Sequence, residues 1–147
     1  MQPGALSVKG FLAPGEDLDE VIARDAAALG REKISYDTLA DRLEKLILAG
    51  QSKPGRKISS GDFSVITIKY AGFQQCPWTE DLHHGTCRKG SGAAHASIDW
   101  RIRNDRTHRE MQGPGLIIHL IRDHHFFEGP GSPWRVDPLD LAHLLMD

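Results

Sequence analysis

The sequence has no long apolar run, no strong charge of either sign and only two cysteines in 147 residues. Without a run of about 18 apolar residues, no membrane-spanning helix is expected. The net charge of −2 gives the whole chain no general attraction for nucleic acid. The first residues lack a basic segment followed by an apolar core, so no secretory signal is expected. The expected location is therefore cytoplasmic, with no membrane partner.

Hydrophobic residues make up 39% of the chain and charged residues 26%, as in an ordinary globular protein. The length suits one domain with a real core. We expect a single domain, residues 1–147, with a helical part at 1–57 and a sheet part at 58–147. The connection between the two parts, Gln51 to Asp62, is polar and contains proline and glycine.

Two helices are predicted in the N-terminal part. Apolar residues recur at helical spacing from Leu18 to Leu29, behind acidic residues that suit a helix N-terminus. A second apolar stripe predicts a helix from about Asp37 to Ala49, with Ser35 or Asp37 as N-cap. We expect the helices to pack together or to form a homodimer contact. The second could also enter a DNA groove, but its mixed exposed charges disfavour contact with phosphates.

Three strands are predicted in the second part. Phe63 to Tyr70 is rich in β-branched and aromatic residues and is expected to be a central strand. Ser97 to Asn104 alternates between apolar and polar residues, which predicts a strand with one wet face. Leu116 to Arg122 is the third predicted strand, and the polar link from Asp105 to Gly115 is a predicted hairpin loop.

A short helix from Pro138 to Met146 is predicted at the end of the sequence, with Asp137 as its cap. The order of helices, strands and helix predicts an α+β fold: an N-terminal helical pair, a small antiparallel sheet and a short C-terminal helix.

The segment LIIHLIRDHHFFEG carries three of the eight histidines inside an apolar run. On an extended strand, alternate residues share a face, so His119, Asp123 and His125 would point the same way. Imidazole and carboxylate groups are common ligands of zinc and other divalent metals. Alternatively, His119 is a hydrogen-bonded core residue, and Asp123 and His124 belong to a turn.

A long connection between the first two predicted strands, Ala71 to Ala96, contains both cysteines. Thiolate and imidazole together suit zinc, and Cys76, His84, Cys87 and His95 are candidate ligands. The connection has no CxxC motif. The alternatives are a pair of reduced thiols, a disulfide, or a reactive cysteine near positive charge or histidine.

Basic residues are concentrated between Arg88 and Arg109. Arg88, Lys89, Arg101 and Arg103 are candidate anion-binding residues, which would engage an acidic partner or nucleic acid. The alternative is a solvated surface.

The leading functional hypothesis is a small zinc-binding protein. Its site would combine the connection Ala71 to Ala96, here called the cysteine loop, with Leu116 to Gly129, here called the histidine segment. The second is a metal-dependent hydrolase, in which Asp123 or Glu128 would serve as general base and Arg101 or Arg103 would bind an anionic substrate. The third is a binding module without catalysis that uses the basic strand.

Overall fold

The computed structural model describes residues 11–72, 74, 76–80 and 95–147. In chain order, the elements are α1 (Leu18–Arg31), α2 (Tyr36–Gln51), β1 (Ile58–Ser60), β2 (Phe63–Lys69), a 3-10 helix (Pro77–Glu80), β3 (Ile98–Asn104), β4 (Arg109–Pro114), α3 (Ile117–His124) and α4 (Pro138–Met146). The predicted α+β fold is confirmed, with two N-terminal helices, an antiparallel sheet and a short C-terminal helix.

Side-chain caps fix the start of three helices. The Asp17 carboxylate accepts from Glu20 N at α1, and Ser35 Oγ accepts from Thr38 N at 3.1 Å at α2. Asp137 accepts from two backbone N–H groups at the start of α4, where Pro138 is the first helical residue. These caps satisfy backbone donors that have no partner within the helix, so polar residues at these positions locate the helix ends.

The sheet has four strands in the order β1-β2-β3-β4, and every neighbouring pair is antiparallel. Within it, Val65 lies opposite Ile102 and Thr67 opposite Trp100. These four side chains are buried on one face, which α2 and α4 cover, while the other face is largely open to solvent. β2 is therefore central and β3 has one wet face, as predicted.

The third predicted strand is wrong, because Ile117–His124 forms α3. Its first five residues are all buried, so polar residues do not mark one exposed face. A continuous apolar run of this length has no periodicity that separates a strand from a buried helix. α3 packs against α2, and the left-handed backbone of His125 ends it, with φ of 54°.

The predicted hairpin loop is also wrong in its extent, because β4 occupies Arg109–Pro114 within it. The turn itself is short, and Asn104 Oδ1 accepts from the backbone N–H groups of Arg106 and Thr107. β4 is polar and has little β propensity of its own; its pairing with β3 stabilises it. β1 similarly lies within the predicted polar connection.

No helix in the described part of the chain is both long enough and apolar enough to cross a membrane.

Candidate metal centre

Helix α3 determines which groups of the histidine segment meet. His119 is buried, and its ring lies edge-on to the ring of His124, with centroids 5.0 Å apart. The ring of His125 points elsewhere and stacks on Tyr36 at 3.9 Å. The helix therefore brings together His119 and His124, whereas a strand would have separated their side chains onto opposite faces.

Cys76 supplies a sulfur atom to the same place. It lies just before the 3-10 helix and is fully buried, and its Sγ is 3.3 Å from Nε2 of His124. Trp78 stacks on the His124 ring at 4.2 Å and meets Phe126 edge-on at 5.5 Å. The aromatic contacts hold the imidazole beside the thiol and cover the pair.

Ligand atoms of Cys76, His119 and His124 all lie within 4.8 Å of one another. Sulfur and nitrogen bound to one tetrahedral zinc, at roughly 2.3 and 2.0 Å from the metal, are about 3.5 Å apart. The Cys76–His124 distance of 3.3 Å is close to that value, and the ligand atom of His119 lies within 4.8 Å of both. This cluster could hold a metal ion.

Asp123 contacts the cluster through His119. Its Oδ2 is 2.7 Å from His119 Nδ1, and the two side chains are one helical turn apart. The His119 side chain is 3% exposed and that of Asp123 is 33% exposed. A carboxylate bonded to one ring nitrogen holds the imidazole in one orientation and leaves the other nitrogen, Nε2, for a metal.

The environment of His124 favours its neutral form. Burial lowers its pKa from 6.5 to about 4, and positive charge on His119 would act in the same direction. Neutral imidazole is the form that binds metal. His124 is therefore ready to act as a ligand at neutral pH without first losing a proton.

The structure brings two of the predicted metal ligands, Cys76 and His119, into this cluster. His95 lies elsewhere, with its Nε2 2.9 Å from Glu44 on α2, and Glu44 also accepts from Arg122 at 3.1 Å. His125 lies against Tyr36, as described above. His84, Cys87, Arg88 and Lys89 lie outside the described residues.

Arg101 and Arg103 lie on the wet face of β3, as the alternation predicts. Arg101 Nη2 donates to Gln112 at 3.1 Å, and Arg103 Nη2 is 2.7 Å from the His108 ring nitrogen. Both arginines also lie within 4.0 Å of Glu110. These contacts within the protein neutralise part of the positive charge of the two arginines. In the binding-module hypothesis, that charge would attract an anionic partner.

His124 is the residue that the predicted ligand set missed. The sequence signal was the spacing His119-x4-His124, which lies in the range of histidine pairs at structural zinc sites. The strand prediction concealed it, because it placed His124 on the opposite face from His119. Cys76 and Trp78 are distant in sequence, so their approach to His124 depends on the fold.

The chain matches no family model, and neither the curated proteins nor the solved structures contain a significant match to it.

Proposed function

We propose that this protein binds one zinc-type metal ion through Cys76, His119 and His124, and that the metal joins the cysteine loop to helix α3. The observation that supports the proposal is the meeting of three ligand atoms from two distant segments within 4.8 Å. Thiolate and imidazole are the ligands that zinc prefers in proteins. Asp123 would orient His119 and strengthen it as a ligand.

We further propose that the role of the metal is structural. Cys76 and His119 are buried, and aromatic side chains pack around His124. Structural zinc sites use four protein ligands, and Cys87, a predicted ligand, would complete a Cys2His2 set. His84 is the competing fourth ligand from the same loop. A metal with a water molecule in its fourth position would instead suit the hydrolase hypothesis.

Elemental analysis of protein purified without chelators tests metal binding. We expect about one equivalent of zinc per chain, because a site of this type binds tightly at neutral pH. Cys76→Ser, His119→Gln and His124→Gln should each lose most of the metal. His143→Gln is the matched control, because His143 lies on α4, is half-exposed with its Nδ1 2.8 Å from Asp147, and is not one of the three proposed ligands.

A second set of variants identifies the fourth ligand. Cys87→Ser should lower the zinc affinity strongly, whereas His84→Gln and His125→Asn should leave it unchanged. Retention of full affinity in both loop variants would contradict the four-ligand site and favour an open position. A wild-type protein that takes up no transition metal, even after incubation with zinc, would contradict the proposal as a whole.

A further inference from the structure

A cavity of about 330 Å³ lies at one end of the open sheet face, and none of the three proposed metal ligands lines it. It is lined by Tyr70, Gln74, Asp99, Pro114 and Trp134. Tyr70 follows β2, Asp99 and Pro114 are cross-strand partners on β3 and β4, and Trp134 precedes α4. The ends of three strands, together with the segments that contain Gln74 and Trp134, therefore bring a carboxylate and an amide close to two aromatic rings.

The aromatic side of the cavity is unusually open. Trp134 is 51% exposed, which is costly for the largest apolar side chain and is more typical of a binding surface than of a core. Tyr70 is held in place because its hydroxyl donates to the backbone oxygen of Ala96 at 2.9 Å. The faces of tyrosine and tryptophan rings are electron-rich and attract cations.

The polar side of the cavity is formed by Asp99 and Gln74. Asp99 makes no hydrogen bond or ion pair with any described residue, while the neighbouring Arg101 is already paired with Gln112 and Glu110. Gln74 Oε1 is buried and has no hydrogen-bond partner in the described part of the chain. Its burial keeps it from direct contact with a molecule in the open cavity, so Asp99 is the acceptor that a ligand can reach.

The charge in the cavity is also partly removed from water. Burial raises the pKa of Asp99, and burial followed by the negative charge of Asp99 raises the pKa of Tyr70. A cation in the cavity would interact with Asp99 more strongly than with a fully solvated carboxylate.

We infer that this cavity binds an organic cation with N–H donors, either a guanidinium or a primary ammonium group. Asp99 would be its counter-ion, and Trp134 and Tyr70 would face the cation. A guanidinium satisfies this combination well, because it can donate to a carboxylate at two points while stacking on an aromatic face. The group could belong to a small molecule or to a side chain of another protein.

Titration of the protein, as purified, with ethylguanidinium and with butylammonium tests the inference. The readout is the NMR signal of the Trp134 indole N–H, which Trp134→Phe assigns. At least one cation should give a saturable shift, whereas the neutral analogue ethylurea should give none. Equal shifts with the cations and with ethylurea, or no shift with either cation, would overturn the proposal. An arginine-containing tetrapeptide that binds more tightly than ethylguanidinium would identify a protein side chain as the source; tighter binding of ethylguanidinium would indicate a small molecule.

Two substitutions separate this site from general charge effects. Asp99→Asn should weaken cation binding by about tenfold or more, because it removes the charged acceptor. Glu110→Gln is the matched control, because Glu110 lies on the same open face but pairs with arginines. Wild-type affinity in a folded Asp99→Asn variant would contradict the assignment.

Discussion

At the residue scale, Glu128 is a fully buried carboxyl group shortly after α3. Ser132 Oγ donates to its Oε1 at 3.2 Å, and its Oε2 has no hydrogen-bond partner among the described residues. Burial raises its pKa from 4.5 to about 8, although the bond from Ser132 acts in the opposite direction. Glu128 is thus protonated in the folded protein at neutral pH. Its complete burial disfavours the general-base role that the hydrolase hypothesis gave it.

Glu128 should make the stability of the protein depend on pH. Between pH 4.5 and about 8 the unfolded chain loses this proton while the folded protein keeps it, so the free energy of unfolding should fall as the pH rises. The contribution is complete below pH 4.5 and is lost as the pH passes about 8. Glu128→Gln should remove this slope and stabilise the protein at pH 8 by up to about 4 kcal/mol.

Denaturant unfolding across that pH range measures the effect. The control is Glu110→Gln, since Glu110 is solvent-exposed and its substitution should leave the slope in place. Parallel pH curves for wild type and Glu128→Gln would show that Glu128 is ionised in the folded state.

The variant Asp123→Asn tests whether Asp123 orients the proposed ligand His119. Asp123→Asn should weaken zinc binding by roughly 10–100-fold, because the carboxylate that holds His119 in place is lost while all three proposed ligands remain. A competition titration with a chelator of known affinity measures this change. Asp62→Asn, in the turn between β1 and β2, is the control. An unchanged zinc affinity in Asp123→Asn, with only a lower melting temperature of the metal-free protein, would indicate a purely structural contact.

At the element scale, close packing of α2 on β2 depends on Gly50. A Cβ atom there would lie 2.7 Å from Thr67 Cγ2 and 2.9 Å from Val65 Cγ1, inside van der Waals distance. Both neighbours are buried on the central strand, where they cannot easily move. Gly50 therefore allows the close approach of the helix to the sheet.

Gly50→Ala should destabilise the protein by about 1–3 kcal/mol, although alanine is the better helix former. Gly30→Ala provides the matched comparison near the end of α1, because a Cβ atom there has nothing within 4 Å. It should be neutral or stabilising by up to about 1 kcal/mol. Thermal melting of both variants decides; equal melting temperatures would contradict the packing explanation.

Most elements could be predicted where local chemistry agreed with the fold. The acidic residues in front of α1, the predicted caps at Ser35 and Asp137 and the alternation of β3 located their elements closely. α3 could not be distinguished from a strand because burial on all sides removes the periodic signal. β4 could not be predicted because its pairing with β3, rather than its own residues, stabilises it.

Only part of the candidate site could be predicted from the sequence, because the rest depends on backbone conformation and on contacts between distant segments. Cys76 and His119 could be selected by residue type, which carries chemical information. The choice between His124 and His125 depended on the backbone conformation, since one residue of difference sends the ring to another part of the structure. Which cysteine meets which histidine depended on contacts between segments more than 40 residues apart in sequence, of which Cys76 with His124 is the described example.

At the scale of the whole molecule, a buried ion pair joins the first helix to the segment before the last one. Arg135 donates to both carboxylate oxygens of Asp25, at 2.8 and 2.9 Å. The two side chains are 13% and 5% exposed, and Arg135 also donates to the backbone oxygen of Glu128 at 2.7 Å. The pair therefore connects α1 with the segment that follows α3 and with the residues that precede α4.

Arg135→Met should cost about 3–5 kcal/mol of the free energy of unfolding, because it leaves the Asp25 carboxylate buried without its cation. The double variant Asp25→Leu with Arg135→Met should recover part of this loss. Arg101→Met is the control, since Arg101 is exposed and its loss should cost within about 0.5 kcal/mol. Denaturant unfolding measures both losses. Similar losses for Arg135→Met and Arg101→Met would show that the buried ion pair contributes no more to the free energy of unfolding than an exposed arginine.

Binding of cobalt(II) to the metal-free protein tests the central claim most directly, because cobalt replaces zinc in such sites and its spectrum reports both the ligands and the geometry. We predict the intense visible bands of a tetrahedral site, with a thiolate-to-cobalt charge-transfer band, saturating at about one equivalent. The charge-transfer band should diminish in Cys76→Ser, and the tetrahedral bands should weaken in His119→Gln and His124→Gln but persist in His143→Gln. A weak octahedral spectrum without charge transfer, or a spectrum that all three ligand variants share with the wild type, would contradict a metal centre at these residues.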